Sequence, residues 1–365
     1  MRHYFSFPLQ SLTFATFCLA LTACQQPPNY GKIEGKTMGT SYHISFALPK
    51  GADTAQIQQR IDARLVAINK SMSTYDDTST IMQFNRANVG EVINIDPDFV
   101  QVMADSKQVY QASKGAFDPT VLPLVKLWGF GGKMTVERLN APPSQAEIEQ
   151  AKGLLGFDNV IVKDQTIQKT KQGVALDFSA VAKGYGVDVI ANVLKNDYKI
   201  NDYMVEIGGE VATQGKNPQG QGWQLGIDAP VLNSTVTDRQ NIAIIAQPTN
   251  AKLNIATSGN YRNSLVYGNE RISHTIDPTT GKPIVGGAPS VTVAHDTTSL
   301  ADAWATALTA MPYDKALQLA TSQNLAVLFV VHKPNTATQD SHRLEDWDVV
   351  ETPAMKALRA NNAKP

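Results

Sequence analysis

The chain has 365 residues, which is enough for one large domain or two closely packed ones. Its composition, with 42% hydrophobic and 18% charged residues, is typical of a folded globular protein. The formal net charge is −1, and lysine and arginine are scattered along the chain. Because nucleic-acid binding needs a basic patch, we exclude nucleic acid as a partner.

The N-terminal segment has the pattern of an export signal. Arg2 precedes a short apolar run, and Leu21-Thr22-Ala23-Cys24 resembles a bacterial lipobox with Cys24 as the acylated residue. The run is shorter than the roughly 20 residues of a transmembrane helix. A buried helix that happens to contain a cysteine is the alternative. We therefore expect a signal peptide at 1–23, an acylated cysteine and tether at 24–35, a folded body at 36–350 and a C-terminal tail at 351–365.

Both cysteines, Cys18 and Cys24, lie in this N-terminal segment. The body therefore has no disulfide, no cysteine metal site and no cysteine nucleophile. A disulfide-free body in an oxidising compartment must depend on its hydrophobic core for stability.

Apolar periodicity predicts the secondary structure of the body. The first half predicts a strand at 40–48 and a hairpin at 160–163 and 167–169. It predicts helices after the cap residue Asp53, at 98–113 and from the capping box at Ser144. The segment 115–132 is predicted to be a long ordered loop without regular structure. The second half predicts helices at 179–195, 300–310 and 313–322, strands at 203–207, 223–227, 242–246, 254–257, 290–294 and 325–331, and a frayed or loosely docked end at 352–365. Strands and helices without regular alternation indicate an α+β fold rather than a doubly wound sheet.

Lys183 stands at the start of an otherwise apolar helix, between Ala182 and Gly184. Small neighbours let another group approach closely, and a helix N-terminus attracts anions. Lys183 is therefore a candidate ligand for a phosphate or for the polar edge of a ring. The alternative is a surface lysine on a glycine-softened first turn.

Asp302 and Thr306 are four residues apart in a predicted helix, so they share one face. A carboxylate and a hydroxyl one turn apart form a half-site for a hard cation such as Mg²⁺, which prefers oxygen ligands. The alternative is that Asp302 simply caps its helix.

His274 lies just before an Asp-Pro-x-x-Gly turn at 277–281, in which Pro278 fixes φ and Gly281 supplies a positive φ. A histidine in this position is a candidate general base near neutral pH. A structural histidine that bonds the turn is the alternative.

Glycine-rich polar clusters at 206–210 and 256–261 follow predicted strands, where glycine permits a ligand to approach the backbone. Neither matches a dinucleotide-binding or P-loop motif, and the chain lacks Gly-x-Ser-x-Gly and His-Glu-x-x-His. These absences exclude the common Rossmann, serine-hydrolase and zinc-protease classes.

Taken in order, these segments resemble the ApbE family, the FAD:protein FMN transferases. The resemblance runs from about residue 36 to about residue 332. Its matching segments are Met38-Gly39-Thr40, Met72-Ser73-Thr74-Tyr75, Gly115-Ala116-Phe117-Asp118-Pro119-Thr120, Asp177 through Gly184, Ile207-Gly208-Gly209, Ala256-Thr257-Ser258-Gly259, His274 through Gly281, and Ala301-Asp302 through Leu308. Mild departures are Phe178, Ser179 and Ala180 where Leu and two Gly are common, and Glu210 and Asn260 where Asp is more usual.

The resemblance implies an α+β, T-fold-related architecture of mixed sheets packed with helices, with FAD in a cleft between two sub-domains. It implies that FAD is held by Met38, Tyr75, Ala116, Phe117, Asp118, Asp177, Lys183 and Ile276. It implies that Mg²⁺ is held by the backbone oxygens of Ala180 and Ala305 and by the side chains of Asp302 and Thr306. His274 matches the proposed base of the family.

The resemblance also implies a function: Mg²⁺-dependent transfer of FMN from FAD to a Thr or Ser hydroxyl of a target protein through a phosphoester bond, with release of AMP. The implied partners are acceptor subunits of membrane electron-transfer complexes. Together with the lipobox they indicate a lipid-anchored enzyme at the periplasmic face of a membrane, with the inner membrane favoured and the outer membrane left open.

Two other functions remain open at this stage. One is hydrolysis of FAD to FMN and AMP. Tyr75 favours transfer over this hydrolysis. The other is a non-catalytic flavin-binding lipoprotein, and the presence of both Asp302 and His274 argues against it.

Overall fold

The computed structural model describes Met1 and residues 29–130, 141–231, 240–249, 251–259, 264–267, 270–273, 275–333 and 343–362. Cys24 and His274, two of the predicted functional residues, lie outside the described residues. Within the described ranges, no helix is long and apolar enough to cross a bilayer.

The helices are α1 (Thr54–Met72), α2 (Thr80–Arg86), α3 (Pro97–Ala112), α4 (Leu122–Trp128), α5 (Gln145–Lys152), α6 (Ala182–Asp197), α7 (Thr298–Thr309), α8 (Tyr313–Ser322) and α9 (Pro353–Asn362). The strands are β1 (Tyr30–Thr37), β2 (Thr40–Ala47), β3 (Ile93–Asn94), β4 (Val160–Lys163), β5 (Thr166–Lys169), β6 (Tyr203–Ile207), β7 (Glu210–Gln214), β8 (Gln224–Asp228), β9 (Asn241–Ala246), β10 (Leu253–Gly259), β11 (Ser264–Tyr267), β12 (Glu270–Ser273), β13 (Ile276–Asp277), β14 (Lys282–Pro283), β15 (Ser290–His295), β16 (Ala326–His332) and β17 (Trp347–Glu351).

Eight strands form one antiparallel sheet in the order β1-β2-β6-β7-β10-β15-β16-β17. The other strands form the three-stranded sheet β3-β5-β4 and the pairs β8-β9, β11-β12 and β13-β14. Helices are interspersed among these strands without a regular βαβ repeat. The predicted α+β fold is confirmed.

The large sheet is buried on both faces because its inner strands are apolar on both sides. In β16, Val327 and Phe329 join the core under the helices, whereas Leu328 and Val330 join a second core on the opposite face. Helices α1, α3, α6 and α7 cover the first face, and the β8-β9 hairpin and α9 cover the second. A third apolar cluster joins α4, α5 and Ile276.

Two segments are more ordered than the sequence predicted. The expected loop at 115–132 contains α4, whose Leu124 and Trp128 are buried and whose end is marked by Gly129 at a left-handed φ of 83°. The end of the chain, predicted to be frayed or loosely docked, contains α9, whose Met355 is fully buried in the second core. Both predictions were wrong because they gave flanking Gly, Pro and polar residues more weight than the apolar anchors between them.

Two element boundaries also differ from the prediction. Residues 30–35, which we assigned to the tether, lie in β1. Gly31 and Gly35 lie directly beside the rings of Phe46 and Tyr42 on β2, where a Cβ atom would come within 2.9 and 2.6 Å of ring atoms. The helix predicted from residue 179 begins at Ala182 because residues 177–181 form a turn instead.

Candidate active site

A cavity of about 1050 Å³ opens beside the N-terminal end of α6. Of the twelve residues that the sequence assigned to FAD or metal, ten line it: Tyr75, Ala116, Phe117, Asp118, Asp177, Ala180, Lys183, Ile276, Asp302 and Thr306. Met38 and Ala305 are not among its lining residues. The structure thus brings together residues more than 200 positions apart in one concave site.

Three charged side chains meet at the centre of the cavity. The Lys183 Nζ atom lies 3.3 Å from Glu210 Oε1 and 3.5 Å from Asp302 Oδ2. Both carboxylates are buried, and Lys183 is partly buried. Lys183 is therefore not a surface lysine, and the second carboxylate, Glu210, is a residue for which the sequence pattern predicted no role.

The charges of this cluster depend on one another. Burial alone would lower the pKa of Lys183, but Asp302 and Glu210 outweigh it and raise that pKa above its usual value. Burial raises the pKa of Glu210 above its usual value, with Lys183 opposing the shift and Asp302 adding to it. Among the described residues, Glu210 Oε2 is buried without a hydrogen-bond partner. The cluster therefore presents an ammonium group and unused oxygen ligands to the cavity.

A close crossing of α6 and α7 sets the position of Asp302. The backbone N–H of Gly184 donates to Asp302 Oδ2 at 3.0 Å. A Cβ atom at Gly184 would lie 2.8 Å from the Asp302 Cβ and closer still to the Thr298 carbonyl oxygen. Only glycine permits this approach.

One turn further along α6, Asp188 holds the start of α7. Its two carboxylate oxygens accept the backbone N–H groups of Thr298 and Ser299 at 2.9 and 2.8 Å. The Thr297 hydroxyl caps the same helix by accepting the N–H of Leu300 at 3.2 Å. Asp302 is therefore not the cap of its helix, and its carboxylate is directed to the cavity cluster.

Two loops that line the cavity, one before α4 and one before α6, are built in the same way. Asp118 Oδ1 accepts the N–H and the hydroxyl of Thr120 at 2.8 and 2.6 Å. Asp177 Oδ1 accepts the N–H and hydroxyl of Ser179 at 2.8 and 2.5 Å. In each loop one carboxylate oxygen fixes the turn. Burial raises the pKa of Asp118 above its usual value, although the Thr120 bonds oppose the shift.

Met38 supports α6 without lining the cavity. It occupies the two-residue turn between β1 and β2 with a left-handed φ of 49°, followed by Gly39 at 74°. Its Cε atom packs against Gly186 of α6, where an added Cβ atom would come within 3.0 Å of it. Holding a non-glycine residue in this region costs on the order of 1 kcal/mol, so the packing against α6 must stabilise the turn.

The oxygen ligands at the cluster fit Mg²⁺ that shares its shell with a phosphate-bearing ligand. Within the described ranges, no three His, Cys, Asp or Glu side chains converge as a metal site. Asp302, Thr306 and Ala180 line one cavity and would offer a carboxylate, a hydroxyl and a carbonyl, which are oxygen donors of the kind that Mg²⁺ prefers. The Ala305 carbonyl instead accepts the Thr309 hydroxyl at 2.8 Å.

Sequence reasoning missed a second pair of cavity residues. His43 Nδ1 and Glu206 Oε2 are 2.7 Å apart, and both side chains line the cavity. They lie on adjacent strands at directly opposed positions of β2 and β6. Glu206 belongs to the glycine-rich polar cluster at 206–210, but the only sequence signal of His43 was a polar residue at an outward strand position, which is too common to single out.

Fold and site together define an enzyme that handles an anionic substrate: a cavity in an α+β body with an ammonium group, hard oxygen ligands and a helix N-terminus at its centre. Residues 38–329 match the ApbE family, and the chain belongs to that family. The resemblance stated from the sequence is thereby confirmed.

The similarity extends to named relatives and solved structures. The chain is 34% identical to the FAD:protein FMN transferase of Haemophilus influenzae over 335 residues, which covers 90% of this chain and 94% of the relative. It is 35% identical to the FAD:protein FMN transferase of Vibrio cholerae, over 86% and 91% of the two chains. The flavin transferase ApbE from Vibrio cholerae superposes with a TM-score of 0.77 at 32% identity, over 91% and 99% of the two chains. The apo form of the flavinyl transferase ApbE of Pseudomonas stutzeri superposes with a TM-score of 0.76 at 28% identity, over 91% of this chain and 97% of that chain.

Proposed function

We propose that this enzyme transfers FMN from FAD to a Thr or Ser hydroxyl of a target protein and releases AMP. The observation that carries the proposal is the Lys183–Glu210–Asp302 cluster, in a cavity of about 1050 Å³ lined by ten of the predicted FAD and metal residues. A cavity of this size suits a large ligand. The relatives of similar length that carry the name FAD:protein FMN transferase support the same activity.

The proposed step breaks a phosphoanhydride bond of FAD and forms a phosphoester bond to the acceptor. The acceptor oxygen bonds to the phosphorus on the FMN side, and the bond from that phosphorus to the oxygen bridging to AMP breaks. The hydroxyl proton passes to His274, a role that rests on the family resemblance. Lys183, at the first turn of α6, stabilises charge on the diphosphate oxygens. Asp118 and Asp177 hold the loops against which the flavin half lies.

Mg²⁺ belongs to the proposal as well. Asp302, Thr306 and the Ala180 carbonyl would hold it. When bound, the metal supplies charge neutralisation at the diphosphate as AMP leaves. The Ala305 carbonyl would join the site only if it gave up the hydrogen bond that it accepts from the Thr309 hydroxyl.

The proposed location is the periplasmic face of a membrane, reached through acylated Cys24, where acceptor subunits of electron-transfer complexes would be in reach. Its support is the leader pattern of the sequence. Labelling with radioactive palmitate checks this. Incorporation into the natural chain and none into Cys24→Ala is the expected result, and equal incorporation in both chains rejects the anchor.

The test of the function is the intact mass of a co-expressed acceptor domain with and without this enzyme. A gain of one FMN minus water, lost when the acceptor threonine is replaced, establishes flavinylation. Release of FMN and AMP from FAD with no change in acceptor mass identifies a hydrolase instead. FAD binding with neither product identifies a binding protein.

A further inference from the structure

The cavity has a second side that none of the FAD or metal residues occupies. His43, Glu206, Val211 and Ile255 lie at directly opposed positions on the adjacent strands β2, β6, β7 and β10. Opposed residues of neighbouring strands point to the same face of a sheet. All four side chains line the cavity, and β8 lines it opposite them. We name this row and the facing strand β8 the sheet-face groove.

The groove is polar at one end and apolar at the other. Val211 and Ile255 belong to the same apolar cluster as Leu225 and Ile227 of β8. At the polar end, Glu206 Oε2 engages His43 Nδ1 at 2.7 Å, and Glu206 Oε1 accepts the Gly209 N–H at 2.6 Å. Because Glu206 engages Nδ1, the other imidazole nitrogen, Nε2, is the one available to a ligand. The His43 side chain is 52% exposed, so a large partner can reach it.

The polar end adjoins the reactive centre through the turn between β6 and β7. Glu206 is the last residue but one of β6, and Glu210, the partner of Lys183, is the first residue of β7. A Cβ atom on Gly208 would approach Lys183 Cδ to 3.3 Å. A group bound at His43 therefore lies along the same turn as the ammonium that faces the phosphate.

The charges of the groove select against a phosphate-bearing ligand. Among its described residues the charged groups are the carboxylates of Glu206 and Asp228, whereas the lysines of the cavity, Lys126 and Lys183, lie on its other sides. Carboxylates repel phosphate. The Nε2 atom of His43 next to apolar side chains suits a polypeptide, which offers both hydrogen-bonding groups and apolar side chains.

We propose that the sheet-face groove receives the acceptor polypeptide, with the His43–Glu206 pair hydrogen-bonding the segment that carries the hydroxyl. This inference rests on the proposed function. It accounts for two substrates in one cavity: the residues assigned to FAD that line it belong to the loop after α1, the loop before α4, the start of α6 with its preceding loop, and β13, whereas the sheet-face groove opens onto the same cluster from the face of the sheet. His43 is placed here as a binding residue for the acceptor.

The experiment compares His43→Ala and Glu206→Gln with the natural enzyme in steady-state flavinylation of an acceptor domain. The KM for the acceptor is expected to rise about tenfold, the loss typical of one hydrogen bond to a fixed group. The Kd for FAD, measured by flavin fluorescence, stays within twofold. Glu34→Gln is the matched control, because Glu34 opposes His43 from β1 without lining the cavity, and its acceptor KM is expected to be unchanged.

The outcomes separate the two proposals. An unchanged acceptor KM in both variants overturns the groove as acceptor site, and so does an FAD Kd that weakens by the same factor, since the groove would then hold the adenosine half. The natural enzyme reports separately on the proposed function. If it labels the acceptor while the variants are unaffected, only the groove fails; if it labels nothing, both proposals fail.

Discussion

The centre and the rim of the cavity hold their side chains in different ways. At the centre, Asp302 is buried, receives a backbone N–H from Gly184 and belongs to a helix whose first turn is fixed by Asp188. At the rim, the Tyr75 side chain is 84% exposed and His43 is half exposed. The charged centre is thus built on helices packed backbone to backbone, whereas the exposed residues of the rim keep freedom to adjust.

Replacing Asp302 is the strongest way to test the centre. Asp302→Ala removes the single carboxylate of the proposed metal site and one partner of Lys183, so flavin transfer is expected to fall at least about 1000-fold, the scale of losing a preorganised charge. Initial rates of acceptor labelling across a Mg²⁺ titration check this. A variant that keeps a tenth of the natural rate would show that the metal assignment is wrong.

The buried carboxylate of Asp188, which accepts two backbone N–H groups at the start of α7, predicts that the stability of the protein depends on pH. Burial raises the folded pKa of Asp188 to about 6 against a usual value near 3.8, with Asp105 adding to the shift and Lys252 and Tyr203 facing the same carboxylate. The folded state therefore binds more protons between pH 4 and 6, so the free energy of unfolding falls as the pH rises through that window, by up to about 3 kcal/mol for this group.

Asp188→Asn cannot titrate and serves as the comparison. Relative to the natural protein, its free energy of unfolding, measured by urea denaturation, is expected to rise steadily from pH 4 to pH 7. A constant difference across this range would mean that the two backbone N–H bonds and the α7 dipole fully offset the burial of the charge.

The helix crossing predicts a smaller loss of stability. Gly184→Ala inserts a methyl group against the Thr298 carbonyl and Asp302, so the free energy of unfolding is expected to fall by about 2 kcal/mol, as for other overpacked sites. Gly222→Ala is the control, because the nearest atom to its Cβ would be the Gln247 carbonyl oxygen at an ordinary 3.5 Å. Equal effects of the two variants in thermal denaturation would remove the argument for a crossing that only glycine permits.

The rim is expected to give the smallest change. Tyr75→Ala removes an exposed ring, so the free energy of unfolding should change by less than about 0.5 kcal/mol. The Kd for FAD should weaken severalfold, since one aromatic contact is worth about 1 kcal/mol. Isothermal titration and urea denaturation of the same sample measure both quantities. A large loss of stability would place Tyr75 with the centre rather than the rim.

The parts of the site that the sequence predicted are those set by local spacing. Asp302 and Thr306 share a face because they are four residues apart, and Lys183 was singled out by its small neighbours at a helix start. Glu210 joins Lys183 only because a strand turn meets the start of α6. His43 and Glu206 are 163 residues apart and meet through the register of two strands, which no local pattern encodes.

The fold shows the same division. Helices with clear apolar periodicity, such as α1 with its Asp53 cap, were predicted to within a residue or two. β1 was missed because its two glycines weaken a strand pattern, and they are there because rings from β2 cover them. The α4 and α9 helices were missed because their stability comes from a few anchors buried against distant segments, Trp128 and Met355 among them.

The crossing at Gly184 also determines how this enzyme can be redesigned. Where two helices meet through main-chain atoms, no choice of side chain can shift one against the other by a fraction of an ångström. The distance between the Lys183 ammonium and the Asp302 carboxylate is therefore hard to change in small steps. If His43 binds the acceptor as proposed, new acceptor preferences are better sought at such exposed positions, away from the helix crossing.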